Sequence, residues 1–206
     1  MELIEACKQT AFEIMSKQDV SHDWHHIKRV VSWAEKIMQN LQGESFDREL
    51  VLCGCYLHDV ADHKYSGEKD LNKVLWRLPQ GYQKMDKLKQ IIERTSWSVQ
   101  LVEENRTPSF VELDIVRDAD RLDALGVVGV LRAFGVAAKR RSPLVLDSTP
   151  RLCEQKTLIG KEDGSLVGHF YAKLFHIPEK LNFAFSKQEA EKLLPPMKDF
   201  VLSAFE

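Results

Sequence analysis

The hydrophobic period is the feature that most limits what this chain can become. Ile27, Val30, Val31, Ala34, Ile37 and Leu41 recur at steps of three and four, which draws one apolar stripe along a helix. Asp19 or Ser21 stands where an N-cap belongs, and Gly43 lies just past the end. Residues 47–61 predict a second helix that is apolar nearly all round (Leu50, Val51, Leu52, Cys53, Cys55, Tyr56, Leu57), which suits a central, buried element. Short helices follow on Leu71, Val74 and Leu75, stopped by Pro79 and Gly81, and on Leu88, Ile91 and Ile92. Phe110, Leu113, Val116 and Leu122 carry another, which Gly126 and Gly129 interrupt before a continuation through Leu131, Phe134 and Ala138. A helix over 169–175 and a last one from about 187 to 205, disturbed by Pro195-Pro196, close the sequence. Strand-type alternation is nowhere sustained, so the expected fold class is all-α.

A length of 206 residues suits one domain spanning 1–206. The least regular stretch, around 140–165, holds Arg140-Arg141-Ser142-Pro143, Thr149-Pro150, Gly160 and Gly164, and reads as a mobile excursion. With 29 basic against 31 acidic side chains and no charged block, the chain is not expected to bind polymeric nucleic acid or a membrane surface. Cys7, Cys53, Cys55 and Cys153 include no C-x-x-C pair, and no charged-then-apolar leader opens the sequence, so a reducing, cytoplasmic setting is expected. No apolar run approaches the roughly 18 residues of a membrane span.

The histidines are unevenly spread: His22, His25, His26, His58 and His63, five of seven, fall in one short window. Three strings stand out, Ser21-His22-Asp23-Trp24-His25-His26-Ile27-Lys28-Arg29-Val30, then Leu57-His58-Asp59-Val60-Ala61-Asp62, then Asp118-Ala119-Asp120-Arg121-Leu122-Asp123. Neighbours on a helix point about 100° apart, so His58 and Asp59 reach one cation only near a helix end or against a second helix. An unpaired carboxylate at the end of so apolar a helix is costly, and a metal ion or an arginine would neutralise it. His26 sits one position off the apolar stripe, at the expected edge of the core, and Asp120 lies one turn beyond Val116 on an inward side. Two imidazoles and two carboxylates from three helices form a mixed nitrogen and oxygen set, suited to a divalent ion rather than to a cysteine-type structural zinc site.

In this order, His26 within H-x-x-R-V, the His58-Asp59 pair, and Asp120 within A-D-R-L, the sequence resembles the HD-domain superfamily of metal-dependent phosphohydrolases. The longer strings are similar to those of its small, single-domain bacterial-type members, over about residues 19–135 and on to the segment 169–174. The resemblance implies an all-α HD-type helical bundle with one divalent metal ion (Mn, Mg, Co, Ni, Fe or Zn), held by His26, His58, Asp59 and Asp120. It implies hydrolysis of a phosphoester or phosphoanhydride in a small phosphorylated substrate, most often a nucleotide. No Glu-Asp dipeptide occurs between Asp59 and Asp120, which departs from the alarmone hydrolases of the superfamily, and His63 alone among histidines lies in that interval, which favours one metal over two.

Around these ligands, Asp62 is one turn after Asp59 and is the candidate to orient or deprotonate water, or to protonate the leaving oxygen. Its alternative is a solvated helix-end carboxylate. His22, one turn before His26, is placed to contact phosphate or donate a proton, against a cap or core role. Arg29 would brace a carboxylate or bind phosphate bidentately. Lys64 would supply phosphate charge, Asp123 would position a ligand or a sugar hydroxyl unless it pairs with Arg121, and His169 and Lys173 would close over phosphates unless simply exposed. His25 reads as structural or exposed, the tryptophans as core rather than base-stacking, and Cys53 and Cys55 as small apolar fillers. A homodimer is compatible with the sequence. The competing classes are a non-catalytic nucleotide-binding sensor, which would be expected to have lost a ligand, and an oxygenase, which would call for a second metal.

Overall fold

In a computed structural model of the chain, residues 2–61, 70–103, 107–147, 149 and 163–204 are described. Among them every regular element is helical. The sequence-derived expectations for Asp62, His63, Lys64 and Cys153, and for most of the 140–165 excursion, lie outside the described residues.

Residues up to Asp120 form one compact unit, and those from Arg121 another. The first begins with a helix that the periodicity reading passed over, α1 (Leu3–Met15), whose Leu3, Ala6, Cys7, Ala11 and Met15 are buried. Next comes α2 (Trp24–Asn40), on the apolar stripe already identified. Its N-cap is neither Asp19 nor Ser21 but Asp23, whose carboxylate accepts the His26 backbone N–H at 2.9 Å. That cap starts the helix earlier than the apolar stripe alone indicates, and it satisfies one of the four N–H groups that a first turn leaves over.

The central element is α3 (Arg48–Leu57), capped by Asp47 through the Leu50 N–H. Every residue from Leu50 to Cys55 is buried, and α3 packs on α1, α2 and α5 (Met85–Arg94). Gly54 explains how tightly: a Cβ there would sit 2.8 Å from Ile91 Cγ2 and 3.2 Å from Val116 Cγ2, closer than atoms pack without displacement. Val116 belongs to α7 (Val111–Asp123), so one small residue lets two helices approach α3. Between them lie α4 (Leu71–Leu75) and α6 (Trp97–Glu103). Trp24 stacks on Tyr56 at 6.2 Å and meets Phe12 edge-on, but it is only half-buried and Trp76 is 77% exposed, which corrects the expectation that the tryptophans are core.

In the second unit, α8 (Gly126–Arg140) starts at Gly126 with φ +68°, a backbone state that favours glycine. The sequence read Leu131 and Phe134 as its apolar marks, but both are exposed, and the buried face carries Gly126, Gly129, Ala133 and Ala137. Small residues on that face allow close approach, and α8 packs on α9 (Leu166–Ala172) and α10 (Ala184–Ser203). A 3₁₀ segment, Leu174–Lys180, joins α9 to α10. Contrary to expectation, α10 runs on through Pro195 and Pro196. Burial of Ala190, Met197 and Val201 opposes the roughly 3 kcal/mol that an interior proline costs a helix. No described helix is long and apolar enough to cross a membrane.

Candidate metal centre

Three helices of the first unit deliver four side chains to one point. His26 lies in the first turn of α2, fixed by the Asp23 cap, and is fully buried, deeper than the core edge expected of it. His58 is the C-cap of α3 and Asp59 the residue after it. The adjacent pair therefore stands at a helix end, with the His58 backbone still in the right-handed helical region. Asp120 projects from the last turn of α7.

The Nε2 atoms of His26 and His58 are 3.2 Å apart. Asp59 Oδ2 lies 3.3 Å from each of them, and Asp120 Oδ1 lies 3.6 Å from His26 Nε2 and 3.7 Å from His58 Nε2. Donor atoms that share one cation at about 2.1 Å stand roughly 3.0–3.4 Å from one another in octahedral or tetrahedral arrangements. The two imidazoles and Asp59 meet that demand, Asp120 stands slightly outside it at 3.6 and 3.7 Å, and His26, His58 and Asp120 form a group able to hold a metal ion.

The protonation pattern points the same way. His58 Nδ1 lies 2.9 Å from the Cys55 carbonyl oxygen, which only accepts, so Nδ1 carries a proton and Nε2 is the ring atom left to face the centre. Burial opposes charge on His58, yet the adjacent Asp59 and the Asp120 carboxylate overcome it and hold its pKa well above the usual imidazole value. Burial likewise works against ionised Asp59, but the charge on His58, hydrogen bonds from His26 and His58, and the charge on His22 hold its carboxyl well below the ordinary range. The two carboxylates thus draw positive charge onto the buried His58 ring, at the place where a cation would sit.

The other sequence-predicted residues scatter. His22 is half-buried in the turn before α2, its ring edge-on to His26 with centroids 6.0 Å apart. Arg29 is half-buried on α2, and His25 is exposed, as expected. Asp123 is buried and accepts a hydrogen bond from Arg132 at 3.0 Å, an ion pair with a partner that the sequence reading did not consider. His169, in α9, and Lys173, just after it, are both half-buried and belong to the second unit. Sequence reasoning missed the Asp23 cap and the Cys55 carbonyl. The cap had a signal, an Asp one turn ahead of the apolar stripe; a backbone carbonyl has none.

Comparison with known proteins agrees with this geometry. The HD domain pattern matches residues 23–125, half of the chain, and spans all four converging side chains. The uncharacterized protein YpgQ of Bacillus subtilis (strain 168) is 29% identical over 195 residues, covering 91% of this chain and 85% of YpgQ. The crystal structure of YpgQ in complex with ADP superposes with a TM-score of 0.72 at 25% identity, over 98% of this chain and 92% of that one. A Lactobacillus plantarum crystal structure gives a TM-score of 0.79 at 23% identity, over 97% of this chain and 93% of that one. An HD-superfamily hydrolase from Bacillus thuringiensis gives 0.65 at 26%, over 98% and 94%. With the histidines, the His-Asp pair and the distal aspartate meeting inside the matched segment of an all-helical fold, the chain belongs to the HD domain family.

Proposed function

We propose that the protein is a metal-dependent phosphohydrolase acting on a small phosphorylated metabolite, a nucleotide above all. The observation that carries this reading is the convergence of His26, His58, Asp59 and Asp120, with both imidazole Nε2 atoms within 3.3 Å of one carboxylate oxygen. These four residues would hold one divalent ion, which when bound supplies Lewis-acid polarisation of a phosphoryl oxygen and acidifies water. Nitrogen and oxygen donors suit Mn²⁺, Mg²⁺, Co²⁺, Ni²⁺, Fe²⁺ or Zn²⁺.

The chain's own groups do the rest in this reading. His22, beside the ligand His26, holds or accepts a proton near the reacting phosphate. Asp62, in sequence one turn past Asp59, orients the attacking water, and Arg29 and Lys64 offer charge to phosphate oxygens. From sequence, His169 and Lys173 are the further candidates to contact substrate phosphate, whereas Asp123 is held by Arg132. The nucleotide assignment draws on the YpgQ complex with ADP, a binding observation on a relative.

The test is a screen of nucleoside mono-, di- and triphosphates and sugar phosphates against purified full-length protein. Mn²⁺, Mg²⁺, Co²⁺ or Ni²⁺ is supplied, and phosphate and pyrophosphate are quantified separately. Chelator-sensitive release of either product supports the proposal. Binding of nucleotides without turnover under any metal would replace it with the sensor reading, and turnover indifferent to chelator would overturn the metal mechanism.

A further inference from the structure

The turn that enters α2 holds a string of three side chains that are not themselves metal ligands. The backbone folds over residues 19–22, with the His22 N–H donating to the Asp19 carbonyl at 3.0 Å. Asp19 Oδ1 accepts twice from Ser21, once from its backbone N–H at 3.0 Å and once from its hydroxyl in a very close contact. Ser21 Oγ in turn lies 2.8 Å from His22 Nδ1. Ser21 is 1% exposed, and the His22 ring stands at 70° to that of His26.

Proton counting fixes the direction of the string. Near neutral pH an aspartate is ionised and can only accept, while a serine hydroxyl has one proton to give. Ser21 gives that proton to Asp19, whose ionised carboxylate can only accept. Toward His22 the same hydroxyl can then only accept, so Nδ1 must be the protonated ring nitrogen. In its neutral form the imidazole carries one N–H, so the lone pair then lies on Nε2.

We infer that Asp19 and Ser21 are positioning residues that hold His22 in the Nδ1–H tautomer, with Nε2 as a proton acceptor beside the metal-ligand cluster. A carboxylate bonded directly to the ring fixes the tautomer of a catalytic histidine in the same way. For its catalytic consequence the inference rests on the phosphohydrolase reading. There, a water O–H proton passes to His22 Nε2 as the water oxygen bonds to phosphorus. The phosphorus–oxygen bond to the leaving group breaks, the leaving oxygen keeps the electron pair, and the imidazolium returns the proton to it. The tautomer itself does not depend on that reading.

The test has two arms. In the first, long-range proton–nitrogen NMR on ¹⁵N-histidine-labelled full-length protein, loaded with diamagnetic Zn²⁺, reads the two ring nitrogens of His22, assigned with His22→Gln. A pyrrole-type Nδ1 and a pyridine-type Nε2 are expected, shifting toward the opposite tautomer in Ser21→Ala and restored in Ser21→Thr. An Nε2–H tautomer in the unaltered protein overturns the inference, whatever the kinetics show. In the second arm, Ser21→Ala should lower kcat about tenfold to a hundredfold with KM and bound metal within about twofold, the usual effect of losing a group that orients a working side chain. The double variant Ser21→Ala/His22→Ala should then be no slower than His22→Ala alone. Independent, multiplying losses would overturn the positioning role. The expected tautomer without any nucleotide turnover would instead sink the phosphohydrolase reading and leave the tautomer assignment standing.

Discussion

Two buried polar clusters lie in the first unit, and they differ in sign. At the junction of α5, α6 and α7, Arg94 Nε donates to Glu103 Oε2 at 2.8 Å and Arg117 Nη2 reaches the same oxygen at 3.4 Å. Arg117 also gives two bonds to the Arg94 carbonyl, at 3.1 and 2.8 Å, and Arg94 reaches the carbonyls of Thr107 and Pro108. There, N–H donors meet oxygen acceptors. At the metal centre, lone-pair donors meet one another: two Nε2 atoms and two carboxylates point at a common point. Burial and charge alone do not separate a structural staple from a binding site. The balance of protons does, because the first cluster is complete with the chain's own hydrogens while the second calls for a cation.

The largest effect that this contrast predicts is on activity. His58→Ala or Asp59→Ala should cut metal-supported hydrolysis about a thousandfold or more, since the Lewis acid contributes several kcal/mol to the transition state. Far-ultraviolet circular dichroism should stay close to that of the unaltered protein. Chelation of the unaltered protein should lower its unfolding midpoint, with about 2.7 kcal/mol regained when free metal reaches about a hundred times its dissociation constant. The alanine variants should show no such regain. A chelated protein as stable as the loaded one would break the comparison, because the cluster would then be complete without a cation.

Next in size is the staple. Arg117 is 5% exposed, and Arg117→Ala leaves the Arg94 carbonyl without two donors and thins the charge facing Glu103. A loss of about 3 kcal/mol in urea unfolding is expected, the scale for breaking a buried pair. The fraction still folded should keep bound metal. Loss of metal with stability unchanged would mean that the arginine cluster belongs to the site.

Third is the close approach over α3. Gly54→Ala gains about 1 kcal/mol of helix propensity but drives a methyl into Ile91 and Val116, and overpacking costs about 1–3 kcal/mol. A net destabilisation of about 1 kcal/mol is expected, together with weaker metal binding, because α3 carries His58 and Asp59 at its end. Unchanged metal affinity would show that the centre tolerates displacement of that helix.

These contrasts also mark what the sequence makes legible. The four converging residues could be named because each sits at a fixed place in a local string, and the apolar all-round run at 50–57 correctly announced the central helix. Helix existence was readable from period, but which face is buried was not always so. On α8 the large residues Leu131 and Phe134 face outward, and glycine and alanine line the packed side. Hydrophobicity scores size, whereas close helix approach selects smallness, so the two criteria choose opposite faces. The Arg94–Glu103–Arg117 cluster left no trace in spacing, because its partners come from three helices and from backbone carbonyls. The Asp19–Ser21–His22 string was within reach as a set of residues, but its proton direction needed distances.

The smallest predicted effect lies at Asp47, where α3 begins and where protons are again in balance. Its carboxylate caps the helix by accepting the Leu50 N–H at 3.2 Å and forms a close ion pair with Lys84. Partial burial pushes its pKa up, but the hydrogen bond from Lys84 and those from the Leu50 and Glu49 backbone outweigh it, so the net shift is downward. A carboxyl whose pKa falls on folding stabilises the fold fully above its unfolded value, near 4. That stabilisation is lost as pH falls through the lower folded value. Stability should therefore show this contribution at pH 5 to 7 and lose it in more acidic solution. Asp47→Asn keeps a capping oxygen but not the charge, so it should cost only a few tenths of a kcal/mol at neutral pH and flatten the acid limb. Asp47→Ala, which also removes the cap, should cost about 1 kcal/mol. Neither should change turnover at neutral pH by more than about twofold if the α3 start is purely structural. A large loss in Asp47→Asn would mean that the charge at the head of α3 reaches the centre at its tail.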